Sequence, residues 1–228
     1  MFLPVIISFF CCLLLFLVYA SAAIRSGVYL KALCRLPADE KVVALTFDDG
    51  PDSATTPKIL DVLSHYKIPA LFFCTGHKTE GQEDLLQRMV DEGHGLGNHS
   101  YGHSVFFPLL PLARMKEDIQ KCEERLQRFT HRRPFFRPPF GVTNPTVAKA
   151  AAQLGYRTMG WNVRSFDTVK KNYRSVAKRI NKRLQPGNII LLHDATPAMP
   201  ELLNDIIHYA QQQGYRFVRA DNYMGGTT

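Results

Sequence analysis

The first stretch of this sequence lacks charge altogether: residues 2–23 hold no Asp, Glu, Lys or Arg, and the apolar run 5–18 is broken only by Ser8. An uncharged N-terminal run of that length is poorly suited to a core helix and is read as a targeting or membrane segment. Cysteine is scarce and unpatterned. Cys11 and Cys12 fall inside the run, which leaves Cys34, Cys74 and Cys122 as an odd, widely spaced trio. Such spacing excludes a disulfide framework or a thiolate zinc motif, and the three are read as buried free thiols. Internal repeats, low-complexity linkers and a second composition regime are also missing. One folded domain is therefore expected over 38–228, joined through a segment 24–37 to the apolar segment 1–23. The apolar content of 46% suffices for a core and excludes a disordered or collagen-like chain.

Two fates are open to the N-terminal segment. Ala20-Ser21-Ala22 has the small-x-small form of a signal-peptidase site. No basic residue precedes the run, however, and its length approaches the ~20 residues that span a bilayer, so a retained anchor is preferred. Either fate places the domain outside the cytoplasm, anchored to the membrane or secreted. Arg25, Lys31 and Arg35 follow the run and, by the positive-inside tendency, argue for the opposite orientation.

The net charge of +8 belongs entirely to the chain after residue 23. Basic residues crowd 125–133 and 170–183, the latter holding Lys170, Lys171, Arg174, Lys178, Arg179, Lys182 and Arg183. They suit a solvated helix face, or attraction to phospholipid headgroups or an acidic wall polymer. Nucleic acid is not an expected partner behind an export signal, and a monomer is expected.

Beyond the leader, short apolar runs alternate with amphipathic stretches. Strands are predicted at 42–47, 70–74, 95–98, 135–137, 156–160, 189–193 and 216–218, and helices at 57–66, 83–92, 111–129, 145–154, 173–184 and 199–212. Strands that alternate with helices pair in parallel with helices outside, which predicts an α/β layer or barrel.

Four segments at strand ends, where α/β folds place reactive loops, carry the chemistry. Thr46-Phe47-Asp48-Asp49-Gly50-Pro51 sets two carboxylates side by side, which is costly to bury without a cation or a shared proton. Alone it is equally an Asp-Gly-Pro turn. His99 and His103 stand four apart and could reach one metal if the loop winds into a helical turn; otherwise they are surface histidines. In Phe136-Arg137-Pro138-Pro139-Phe140-Gly141, Arg137 could pin a carboxylate or face solvent. Leu191-Leu192-His193-Asp194 delivers a histidine that is either a proton donor or a satisfied core residue.

Together, in this order, the TFDDGP, HSYGH, RPPFG and LLHD segments resemble the polysaccharide deacetylases, carbohydrate esterase family four, whose domain is shared with nodulation chitooligosaccharide deacetylases. The resemblance implies a distorted (β/α) barrel of seven to eight units. It implies that Asp49, His99 and His103 ligate a divalent metal, usually zinc, with Asp48 as base, Arg137 orienting Asp48, and His193 as general acid. It also places the Phe140 amide as an oxyanion donor and Leu191 on the acetyl pocket, with Trp161 beside the substrate. The implied activity is removal of N-acetyl groups from a peptidoglycan or chitin-like polysaccharide. The alternatives are an O-acetyl esterase on xylan-type polymers and a silent glycan-binding domain. Two positions depart from the pattern. Phe140 stands where many members have Tyr. Arg164 stands three residues after Trp161, where many have Asp, so Asp167 is expected to orient His193 or Arg137 instead.

Overall fold

The computed structural model describes residues 2–130, 135–169 and 172–222. Pro134, before which the long helix was expected to end, and Lys170 and Lys171 of the basic cluster lie outside the described residues. So do residues 131–133 of the other cluster.

The chain runs α1 (Phe2–Ala22), β1 (Ala32–Leu33), β2 (Val42–Asp48), α2 (Thr56–Tyr66), β3 (Leu71–Cys74), α3 (Glu83–Asp91), β4 (Gly95–Asn98) and α4 (Leu112–Leu126). It continues with α5 (Pro145–Gln153), β5 (Thr158–Met159), β6 (Val163–Arg164), α6 (Tyr173–Asn181), β7 (Asn188–His193), α7 (Met199–Gln212) and β8 (Arg216–Phe217). Local chemistry sets several boundaries. Asn144 accepts the Val147 N–H at 2.8 Å while Pro145 fills the first helical position, so α5 starts there. Asn172 caps α6 by accepting from Ser175 N at 3.2 Å. α2 stops where Lys67 turns left-handed at φ 53°.

β2 is the axis of the sheet. It pairs in parallel with β7 along its length and with β3 from Thr46 onward, while β8 takes the same strand's first two residues. β4 lies outside β3 and β6 outside β7. The sheet then bends on: Asn98 bridges Phe136, and Phe136 bridges Thr158 of β5, which pairs with β1. The curve stays open between β5 and β6, which share no ladder among the described residues. This is the distorted, parallel (β/α) barrel expected, with two differences. Residues 135–137 contribute two isolated bridges, both through Phe136, rather than a strand, because Pro138 and Pro139 cannot donate to a ladder. β6 was not foreseen, since Trp161-Asn162-Val163-Arg164 shows no apolar run. The segment 24–37, expected as a connection, carries β1 and buries Ile24 and Leu36.

The period of two in the strands sorts the core into layers. Leu45, Phe47, Phe72, Ile190 and Leu192 pack outward under α2, α6 and α7. Val42, Ala44, Leu71, Phe73 and Ile189 face inward with Leu36 and Met159. By the same alternation Thr46 and Asp48 follow Val42 and Ala44 on the inner face, and Leu191 and His193 follow Ile189. The barrel interior is thus apolar at the N-terminal ends of its strands and polar at the C-terminal ends.

Candidate active site

The polar end of the barrel is assembled around Arg137, whose side chain has no solvent exposure. Its Nη1 donates to Asp48 Oδ1 at 2.5 Å and Thr46 Oγ1 at 3.0 Å. Nε reaches the Met159 carbonyl at 3.1 Å and Nη2 the Gly160 carbonyl at 2.8 Å. The guanidinium lies 3.9 Å over the Phe73 ring. A buried cation needs this many acceptors, and only one of them is charged. Arg137 therefore faces the barrel interior, against Asp48, and not solvent.

Asp48 keeps its second oxygen free of Arg137. Oδ2 lies 3.7 Å from His99 Nε2. Asp49, the next residue, turns the other way at φ 73°. Its Oδ1 lies 3.4 Å from His99 Nε2 and 3.1 Å from His103 Nε2. The turn demands glycine next: a Cβ on Gly50 would sit 1.7 Å from Asp194 Oδ2. Asp194 is wholly buried and accepts from Thr56 Oγ1 at 2.8 Å, and burial pushes its carboxyl up to about 7.

The two histidines converge without the helical turn that their spacing suggested. Asn98 Oδ1 accepts the Ser100 N–H at 2.9 Å, Ser100 Oγ accepts the His103 N–H at 3.1 Å, and Asp118 accepts the amides of Tyr101 and Gly102. Ser100 and His103 adopt φ 67° and 46° within this winding, and the imidazole centroids end 4.8 Å apart. His99 Nδ1 is 2.7 Å from the Arg137 carbonyl, so it carries the proton and leaves the Nε2 lone pair toward Asp49.

One ligand atom each from Asp49, His99 and His103 lies within 4.8 Å of the others. His103 Nε2 is buried and makes no hydrogen bond. Burial, then the neighbouring His99, pushes the His103 imidazole down to about 4, which keeps it neutral. Burial acts to raise the Asp49 carboxyl, but the His99 imidazole beside it holds it well below the usual carboxylate range. Two imidazoles, one carboxylate and an unsatisfied buried nitrogen fit a divalent cation of borderline softness with open positions.

On the adjacent strand His193 is the register partner of Asp48. Its Nδ1 lies 2.9 Å from Asp167 Oδ1 and its backbone N–H donates to Asp167 Oδ2 at 2.9 Å, so Nε2 is the ring nitrogen left for the cleft. Burial pulls the His193 imidazole down. The Asp167 hydrogen bond and charge, with Asp48 and Asp49, outweigh it, and its pKa is raised. Of the two partners expected for Asp167, the structure gives it His193 and not Arg137. Asp167 is in turn held by Ser165 Oγ and by Thr196 Oγ1 at 3.2 Å, on a turn in which Phe166 takes φ 62°.

A cleft of about 240 Å³ is lined by Asp48, Asp49, His99, His103, Phe140, Trp161, Arg164, Thr168, Leu191 and His193. Nine of the ten residues singled out from sequence line it or, in the case of Asp167, hold a residue that does; Arg137 stands behind it on Asp48. Phe140 takes φ 60° and lies 4.7 Å from the His103 ring. Gly141 follows at φ 68°, where a Cβ would meet the Trp161 ring at 2.3 Å. Thr46, Asn98, Asp118, Ser165 and Thr196 were missed. Thr46 alone had a visible signal, its two-residue offset from Asp48 on a strand.

The family model for polysaccharide deacetylase matches residues 35–159. The peptidoglycan-N-acetylmuramic acid deacetylase PdaA of Bacillus subtilis (strain 168) is 35% identical over 81% of this chain and 72% of its own length. The solved Bc1960 peptidoglycan N-acetylglucosamine deacetylase aligns with TM-score 0.80 at 30% identity, over 86% of this chain and 94% of that one. A family 4 acetyl xylan esterase from Clostridium thermocellum, solved with a cobalt ion, aligns with TM-score 0.74 at 31% identity, over 81% and 91% of the two chains. With its four motifs gathered at one end of a shared barrel, the chain belongs to the polysaccharide deacetylases of carbohydrate esterase family four.

Proposed function

We propose that this chain is a metal-dependent hydrolase that removes N-acetyl groups from peptidoglycan, releasing acetate and a free amine on the sugar. The observation that carries this reading is one arrangement: three ligand atoms within 4.8 Å of one another, between a carboxylate clamped by Arg137 and an imidazole clamped by Asp167. A divalent cation, zinc by the donor set, would supply Lewis acidity, lowering the pKa of a coordinated water and polarising the acetyl carbonyl.

The protein's own groups divide the remaining work. Asp48 Oδ2, beside His99 and free of Arg137, takes the proton of the attacking water. The Phe140 amide donates to the oxygen on which negative charge develops. His193 Nε2 gives its proton to the departing sugar nitrogen, and Asp167 holds the imidazole in the protonated, correctly turned state. An amine is a poor leaving group until protonated, so a histidine held above its ordinary pKa suits an amide substrate. Leu191 and Trp161 exclude water around the acetyl methyl.

Arg164 bears on which sugar is bound. Its side chain lines the cleft with no ion-pair partner among the described residues, its only described ring contact being Phe166 at 4.9 Å. N-Acetylmuramic acid differs from N-acetylglucosamine by a lactyl carboxylate, and a free guanidinium in the cleft favours the anionic sugar. A second cleft of about 340 Å³, sharing Thr168 with the first, gives room for a neighbouring residue of the polymer. The acetyl xylan esterase relative supports a second reading, hydrolysis of an O-acetyl ester. Residues 2–22 are proposed as the membrane anchor and 38–228 as the catalytic domain, exposed outside the cytoplasm.

Mass spectrometry of peptidoglycan fragments after incubation with zinc-loaded protein tests the activity. Loss of acetyl mass from muramic residues is expected, and release from acetylated xylan alone would refute the amidase reading. Arg164→Ser is expected to lower kcat/KM for muramic acid by about tenfold or more, the scale of one charge-assisted contact, and to spare glucosamine.

A further inference from the structure

The last turn of α1 is fastened to the catalytic loop system. The Ala20 carbonyl accepts from Thr143 Oγ1 at 3.1 Å and from Ser26 Oγ at 3.2 Å, and the Ser21 carbonyl accepts the Thr143 N–H at 2.9 Å. Ala20 is fully buried and Ser21 half-buried, whereas residues 2–19 are exposed. Thr143 lies two residues past Gly141 on the loop that carries Phe140. The next residue, Asn144, donates to the Pro108 carbonyl at 2.6 Å. The short turn around Pro108 buries Phe107 but leaves Val105, Phe106 and Leu109 exposed by 69%, 66% and 78%.

Length then sets the level of this cluster. α1 has 21 residues. At a rise of about 1.5 Å per residue they match the ~30 Å hydrocarbon core of a bilayer, which puts Ala20 to Ala22 at its edge. Thr143 is bonded to that edge, and Pro108 is one residue and one hydrogen bond further. Arg25, exposed just past the helix, suits anionic headgroups. Exposed large apolar side chains clustered beside a membrane span have a ready apolar phase to enter.

We infer that Val105, Phe106 and Leu109 dip into the bilayer surface beside α1, so that the cleft opens against the membrane and the chain works on glycan at the membrane face. The inference rests on α1 being retained as a span. It extends the proposed activity by fixing where the substrate is met, and it gives Val105 and Phe106, which follow His103 and Ser104, a task that catalysis does not.

The test uses the full chain with Cys11→Ser, Cys12→Ser and Cys34→Ser, reconstituted in phosphatidylcholine–phosphatidylglycerol vesicles. A polarity-sensitive fluorophore is attached at Phe106→Cys, at Leu109→Cys or, as control, at Gln211→Cys. Gln211 is exposed near the end of α7, which leads to β8 and the opposite end of the barrel. Probes at 106 and 109 are expected to shift to the blue and to be quenched by nitroxide-bearing lipid, while the probe at 211 keeps its aqueous emission. Aqueous emission at all three sites in vesicle-bound protein would overturn the inference. Protein that fails to float with vesicles after an alkaline wash, or that has lost α1, would overturn it by removing the span. Acetate release from soluble glycan, measured on the same samples, reports on the proposed activity independently.

Discussion

The two halves of the site proposed to handle protons are built in opposite ways. The half around Asp48 is embedded: Arg137 has no solvent exposure and spends its donors on a carboxylate, a threonine hydroxyl and two backbone carbonyls. The half around His193 rides on a turn, with Asp167, Ser165 and Thr196 reaching in from short loops and the imidazole 15% exposed. A buried carboxylate needs a cation that cannot leave. An imidazole that must gain and lose a proton needs contact with the cleft. Breaking the first half should therefore damage the fold as well as the chemistry, and breaking the second should damage the chemistry alone.

Arg137→Met sets the largest effect against that contrast. It leaves Asp48 buried without its cation, and the expected loss is about 3–5 kcal/mol of stability together with loss of turnover. Denaturant unfolding measures the first and acetate release the second. Adding Asp48→Asn should restore part of the stability and none of the activity; an unaltered midpoint in Arg137→Met would mean that the buried pair does not hold the fold.

His193→Ala comes next. It should slow turnover by about 10²–10⁴, the range for a lost general acid, while zinc binding and thermal midpoint stay near wild type. Asp167→Asn should act more gently and leave a signature in pH. The folded pKa of His193 is raised mainly by Asp167. Its share of stability is present below the ordinary value of about 6.5 and is lost as pH rises through the folded value. The acid must be protonated to act, so kcat falls across that same rise. Without the Asp167 charge, burial dominates and the alkaline limb of the kcat profile should move to lower pH. A limb that stays in place would detach Asp167 from the acid. Phe140→Ala should matter least, under about tenfold in kcat, because the proposed oxyanion donor is the backbone amide and not the ring.

The embedded half was also the more legible in sequence. Alternation along 42–48 puts Thr46 and Asp48 on the inner face, and the paired carboxylates at the strand end made Asp49 conspicuous. Arg137 was singled out by its own chemistry, but only the resemblance chose Asp48 over solvent, because no local pattern announces its burial and its acceptors come from residues 46, 48, 159 and 160. The acid half was harder. β6 is two residues long and unsupported by any apolar run, and Asp167 reaches His193 only because Phe166 turns left-handed. The histidine pair was found by spacing, yet its convergence comes from Asn98, Ser100 and Asp118, side chains whose hydrogen bonds replace the helical turn.

The proposed activity requires Asp49, His99 and His103 to share one ion. Crystals of the zinc-loaded chain, measured above and below the zinc absorption edge, locate that ion directly. One strong anomalous peak is expected about 2.0–2.2 Å from an Asp49 oxygen, His99 Nε2 and His103 Nε2. A zinc peak elsewhere, with those three atoms bonded only to one another, would contradict that proposal.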